Sequence, residues 1–177
     1  TEIAVGVDAA RMRLCDPIPD PEDMPDLRTR RRGIDNFASF MRFLAPVEPE
    51  PLDDVTASGE GIFAAIGCAS CHVPALTTGA NANPRLHRQV VRLYSDLLLH
   101  DIGTGDGIAQ ASAAAHEIRT PALWGVRFRR PLLHDGSAAT VHDAILKHRG
   151  EAEFARTQYE RLSDGQRDAL RRFLNTR

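Results

Sequence analysis

The stretch Cys68-Ala69-Ser70-Cys71-His72 constrains this chain more than any other. Cys-x-x-Cys-His is the pattern through which a chain attaches a c-type haem. Two thiols at this spacing reach the two vinyl groups of one porphyrin. The next residue then brings an imidazole to the iron as proximal ligand. Gly67, just before the motif, leaves room for backbone near the macrocycle. Ile62, Phe63 and Ile66 share one face of a helix that runs into Cys68 and supply an apolar wall. Two other chemistries use paired cysteines. A thioredoxin-like redox pair normally follows a strand and opens a helix, whereas this motif follows helical spacing, and only haem explains His72. A zinc site would require two further ligands at close spacing, commonly a second Cys-x-x-Cys, and none is present. The sequence therefore predicts one covalent haem c on Cys68, Cys71 and His72.

The remaining composition narrows the partners. A formal net charge of -2 gives no bulk attraction to nucleic acid or anionic membrane. The basic run from Arg28 to Arg32 is interrupted by Thr29 and reads as a solvated helix start. No apolar run is long enough for a membrane span. Three cysteines is an odd count, and Cys15 is left over in a Pro- and Asp-rich arm, as an incidental thiol or half of an unseen pair. The sequence begins at Thr1 and carries no charged stretch followed by an apolar run, so a trimmed product or an excised segment is expected.

Along the chain, Asp16-Pro17-Ile18-Pro19-Asp20-Pro21 marks residues 1–26 as an extended arm, because each proline removes a donor and biases its predecessor away from helix. Phe37, Phe40, Met41 and Leu44 give helical spacing over 34–44, and Ala45 to Pro51 stops that helix and starts a stiff linker. A new helix is expected from about Ser58. Residues 73–86 read as loop, 90–100 as a short helix or a strand, 101–117 as an irregular Gly- and Ala-rich stretch, and 121–126 as a short helix or turn. Thr140 and Asp143 form an imperfect capping box for a helix that Gly150 should end. Helices over 151–162 and from Ser163 follow, the last with Ala169, Leu170, Phe173 and Leu174 inward. No segment alternates with period two. The expected fold is all-α with long loops, a cytochrome c-like haem domain over 58–177 behind an arm, one helix and a Pro-rich linker over 1–57.

The sixth iron ligand is open to several residues: His87, His100, His116, His134, His142, His148 and the three methionines, Met12, Met24 and Met41. Val141, Ala144, Ile145 and His148 form an i, i+3, i+4, i+7 stripe, which turns His148 inward and His142 elsewhere. A core histidine hydrogen-bonded to a neighbour is the competing reading. The methionines all precede the haem motif.

Four ordered motifs resemble the C-terminal haem domain of the bacterial di-haem cytochrome c peroxidase superfamily. They are Gly61-Ile62-Phe63 through Ile66 to Pro74, Tyr94 to Gly103, Arg119 to Val126, and Leu133 to Thr140. The Leu-Leu-Leu-His-Asp and His-Arg-Gly-Glu-Ala stretches bring it nearest the branch of di-haem or "thiol" oxidoreductases. The resemblance covers about 58–177. It implies a distal iron ligand that, counted from His134, falls on His148, where the peroxidases carry Met and a relative carries Tyr. His in place of Met implies a lower potential. The peroxidases also bind calcium between two haem domains, but here the corresponding positions are Arg129 and Pro131, and an arginine beside the site disfavours the cation. Family members carry two haem motifs and this sequence has one.

The resemblance thus implies an electron-transfer haem domain of a di-haem oxidoreductase, its iron held by His72 and His148, with the reactive haem in a second domain or a redox partner protein. The alternatives are a stand-alone single-haem peroxidase-like enzyme and a non-catalytic haem-binding subunit. Arg119, Arg127, Arg129 and Arg130 are candidates to pair with haem propionates, against the plainer reading of surface arginines. Cytochromes c of this kind receive haem outside the bacterial cytoplasm, so the expected location is the periplasm.

Overall fold

The computed structural model describes residues 24–177. Cys15 and Met12 lie outside the described residues. The chain divides into two compact units between Pro46 and Val47. In the first, helix α1 spans Gly33–Phe43, and the Asp35 carboxylate accepts from the Arg32 backbone N–H at its start (3.0 Å). Its apolar residues, Phe37, Phe40 and Met41 among them, are exposed.

The second unit holds helix α2 (Asp54–Ala65), α3 (Val141–Leu146), α4 (Glu153–Arg161) and α5 (Asp164–Leu174). It also has four two-residue strands: β1 (Leu76–Thr77) pairs antiparallel with β2 (Val90–Val91), and β3 (Leu99–His100) with β4 (Ile118–Arg119). The all-α expectation is therefore correct for the scaffold and incomplete for the loops, where two short ladders satisfy backbone groups that helices leave open. None of the described helices is long and apolar enough to cross a membrane.

Helix α2 begins at Asp54, earlier than the expected Ser58, because Asp53 caps it. The Asp53 carboxylate accepts from Thr56 N–H (2.8 Å), and the Thr56 hydroxyl accepts from Asp53 N–H (2.8 Å). The expected inward residues of α5 are all buried, and with Phe63, Ile66, Tyr94, Val141 and Tyr159 they form the core. α2 and α5 cross at very short range. A Cβ on Gly59 would lie 2.1 Å from the Ala169 carbonyl oxygen, so only glycine allows the approach. Phe63, Tyr94 and Phe173 meet edge-on or tilted, with ring centroids 5.6–5.9 Å apart. This aromatic cluster forms the floor behind His72, whose ring centroid is 6.3 Å from that of Phe63.

The Thr140 capping box is complete: its hydroxyl accepts from Asp143 N–H and the Asp143 carboxylate accepts from Thr140 N–H, both at 3.1 Å. The helix behind it does not reach Gly150. It ends at Leu146 with Lys147 as C-cap, and His148 N–H donates to Ile145 in a tighter final turn. Gly150 instead opens a single 3-10 turn, Gly150–Ala152, and α4 follows from Glu153.

Candidate functional site

The Cys68–His72 motif sits where α2 runs out. Gly67 follows the helix with φ +93°, a left-handed conformation that suits glycine. The chain then turns through one 3-10 turn, Cys68–Ser70, closed by Ser70 Oγ donating to the Gly67 carbonyl (2.7 Å) and His72 N–H to the Cys68 carbonyl (3.0 Å). Gly67 is thus needed for the turn itself. A Cβ there would stand in ordinary contact, 3.4 Å, with the ring of Phe154, which is 66% exposed beside the motif. Cys68 and Cys71 are both free thiols on this turn. Burial pushes the Cys68 thiol up to about 11, and burial also raises Cys71. Both are protonated thiols at neutral pH, unlike the depressed thiolates of disulfide oxidoreductases.

His72 is oriented by the segment that follows β2. Tyr94 adopts φ +53°, and its carbonyl accepts from His72 Nδ1 at 2.9 Å. The same segment is stitched to the motif by Ser95 N–H to the Val73 carbonyl (2.9 Å) and Asp96 N–H to the Cys71 carbonyl (2.8 Å). A carbonyl can only accept, so Nδ1 carries the proton and the Nε2 lone pair is free. Burial lowers the His72 pKa, with a smaller push from the neighbouring His148, which keeps the ring neutral.

His148 repeats this arrangement. Its Nδ1 donates to the Ala144 carbonyl one turn back at 2.7 Å, and burial lowers its pKa. It too is a neutral imidazole with a free Nε2. The inward stripe Val141, Ala144, Ile145 leads to His148, which lies part-buried in the turn after α3 and close enough to His72 to help lower its pKa.

Two of the other candidates are bonded to side chains. Both ring nitrogens of His100 are bonded to carboxylates, Nε2 to Asp96 and Nδ1 to Glu151, each at 2.8 Å. His142 Nδ1 pairs with the Tyr159 hydroxyl at 2.7 Å. His87, His116 and His134 are exposed, as are Met24 and Met41. The arginines proposed for propionates have structural partners. Arg127 donates to the Thr176 and Glu48 carbonyls (2.8 Å each), Arg129 to Ala122 (3.2 Å) and Arg130 to Val126 (2.9 Å). Arg119 is exposed on β4. Residue-by-residue reading missed the two carbonyls of Tyr94 and Ala144, since a backbone acceptor leaves no mark in sequence. It also missed Asp96 and Glu151, although the Asp96-to-His100 spacing was a visible clue.

A donor set of two neutral imidazoles, each fixed through Nδ1 and open at Nε2, together with two thiols on one turn, fits a haem. A backbone carbonyl on the second ring nitrogen is one of the common ways of orienting metal-binding histidines.

Comparison with known proteins agrees with haem as the cofactor. The family model described as "Di-haem oxidoreductase, putative peroxidase" matches residues 45–177. A solved structure of hydrazine synthase from Kuenenia stuttgartiensis, pressurized with xenon, shares the fold with a TM-score of 0.59 at 19% sequence identity, over 93% of this chain. The present chain spans 61% of the length of that one. No curated protein sequence gave a significant match. Family membership supports haem as the cofactor and redox chemistry as the class: the chain belongs to the di-haem oxidoreductase family.

Proposed function

We propose that residues 47–177 form a c-type haem domain that transfers electrons within a larger di-haem system. Cys68 and Cys71 hold the haem through thioethers, His72 is the proximal ligand and His148 the distal one. The observation that carries the reading is the pair of part-buried imidazoles, each with Nδ1 on a backbone carbonyl and Nε2 free, burial setting them apart from the exposed His87, whose Nδ1 meets the Asn81 carbonyl. In thioether formation each thiol adds across a vinyl group, sulfur to one carbon and hydrogen to the other, with no net oxidation.

When bound, haem supplies a one-electron iron couple. The protein's part is to keep both imidazoles neutral and aligned, and to close the sixth position. With His72 and His148 both engaged, no open position is left for peroxide, which favours electron transfer over catalysis at this site. The reactive haem of such a system would then lie in a second domain or on a redox partner. The proposal includes maturation in the periplasm, where bacterial cytochromes of this kind receive their haem.

The test is extraction of the holoprotein with acidified organic solvent and a pyridine haemochrome spectrum. The reading predicts that haem stays with the polypeptide and gives the spectrum of two saturated vinyl groups. Complete extraction from wild-type protein would sink it.

A further inference from the structure

The segment that carries His148 is docked onto the loop after β3. Arg149 N–H donates to the Ile102 carbonyl and Glu151 N–H to the Asp101 carbonyl, both at 2.9 Å. Two glycines let the backbones touch. A Cβ on Gly150 would lie 2.4 Å from the Asp101 carbonyl oxygen, and one on Gly103 would lie 2.9 Å from Arg149 Cβ. Across this seam His100 makes two hydrogen bonds, Nε2 to Asp96 Oδ2 and Nδ1 to Glu151 Oε2, each 2.8 Å. Carboxylates only accept, so both bonds are made together when both ring nitrogens carry protons, the form these two acceptors favour. Such charge-assisted bonds are stronger than neutral ones.

Both carboxylates are themselves anchored. Glu151 Oε1 accepts from Asp101 N–H (3.0 Å), and Asp96 Oδ1 from Leu98 N–H (2.9 Å). Asp96 also reaches the haem motif, because its backbone N–H donates to the Cys71 carbonyl (2.8 Å). The Cys71 sulfur, the Asp96 carboxylate and a His100 ring nitrogen all lie within 4.8 Å of one another. A continuous path therefore runs from Cys71 and His72, through Asp96, His100 and Glu151, to the segment of His148.

We infer that His100 is a positioning residue that ties the proximal segment to the distal segment and so fixes His148 on the iron. The inference rests on the bis-histidine reading proposed above. Its consequence is specific. An external ligand must displace His148 to bind, so loosening the clamp should raise the apparent affinity for that ligand. Groups hydrogen-bonded directly to a metal ligand typically contribute 10–100-fold to affinity or activity at the metal, and His100 acts one link further out.

The experiment is cyanide titration of the oxidised holoprotein. His100→Ala should retain covalent haem while its cyanide Kd falls by about tenfold or more, toward the value for His148→Ala. Glu151→Gln loses one of its two acceptor oxygens and should move the Kd in the same direction. Asp164→Ala removes an ion pair with Arg167 at the start of α5, away from the seam, and should leave cyanide binding unchanged. If His100→Ala does not take up haem, Glu151→Gln decides alone. A Kd within about twofold of wild type in the clamp variants, with His148→Ala shifted, overturns the inference and leaves the bis-histidine reading standing. A His148→Ala Kd equal to wild type removes the reading and the inference together.

Discussion

Gly59 and Gly61 lie on the same helix, and the same substitution should have opposite effects at the two positions. Replacing glycine by alanine inside a helix gains about 0.5–1 kcal/mol from lower backbone entropy in the unfolded chain. At Gly61 nothing lies within 4 Å of an added Cβ, so that gain is realised in full. At Gly59 the added Cβ would meet the Ala169 carbonyl oxygen at 2.1 Å, its carbon at 2.7 Å and Phe173 Cβ at 2.8 Å. Two of these three are backbone atoms and cannot swing aside, so α5 has to move. Overpacking of this kind costs about 1–3 kcal/mol, and a clash this deep belongs at or beyond the upper end. Subtracting the helix gain leaves a net loss of about 2 kcal/mol or more. For a unit of this size that is a fall of roughly 6–10 °C in Tm. Gly61→Ala should instead raise Tm by a few degrees. Far-UV circular dichroism on the haem-loaded protein measures both. If Gly59→Ala is as stable as Gly61→Ala, the α2–α5 crossing is not as described, and the aromatic floor behind His72 loses its support.

Three further outcomes are expected. Cys68→Ala or Cys71→Ala should leave the haem held by one thioether, and the double variant should release it into acidified organic solvent; retention in the double variant would contradict attachment at this motif. The isolated chain should show little peroxidase activity with a reductant and peroxide, since its iron is closed; turnover like that of a complete peroxidase would favour a stand-alone enzyme. His100 has a folded-state pKa raised above 6.5, chiefly by Glu151 and then Asp96, so its contribution is fully present below that value and is lost as pH rises through the folded pKa. Burial pushes Asp96 up but its backbone and side-chain hydrogen bonds together bring it below the usual value, and Glu151 is lowered chiefly by His100, so their contribution fades in the opposite direction, as pH falls into the carboxylate range. The stability gap between wild type and His100→Ala, from denaturant melts, should therefore be larger near about pH 5.5 than near about pH 8.5; a gap that widens with pH would refute the pairing.

Local chemistry explains which features could be read from the sequence. The Cys68–His72 motif is contiguous, so its spacing alone points to haem, and membership of the di-haem oxidoreductase family agrees with haem as the cofactor. The inward face of α5 was legible because Ala169, Leu170, Phe173 and Leu174 repeat with the helix. Helix ends were harder. Asp53 and Thr56 cap α2 ahead of Ser58 through a reciprocal pair that lacks the usual glutamate or glutamine. Gly150 looked like a helix stop, but its small size serves the approach to Asp101, a contact formed only in three dimensions. The four strands have two residues each, too short for any alternation to register. In the Asp96–His100–Glu151 cluster only the Asp96–His100 spacing is local, and nothing in local pattern predicts that the distant Glu151 reaches His100.

The central claim is that His72 and His148 together close the iron. The most direct test is the electron paramagnetic resonance and visible spectrum of the oxidised holoprotein, taken beside those of His148→Ala and His148→Met. The account predicts low-spin iron in wild type, high-spin iron in His148→Ala, and low-spin iron at a higher potential in His148→Met. A His148→Ala protein with the spectrum and potential of wild type would contradict it, and His134 would become the first alternative ligand.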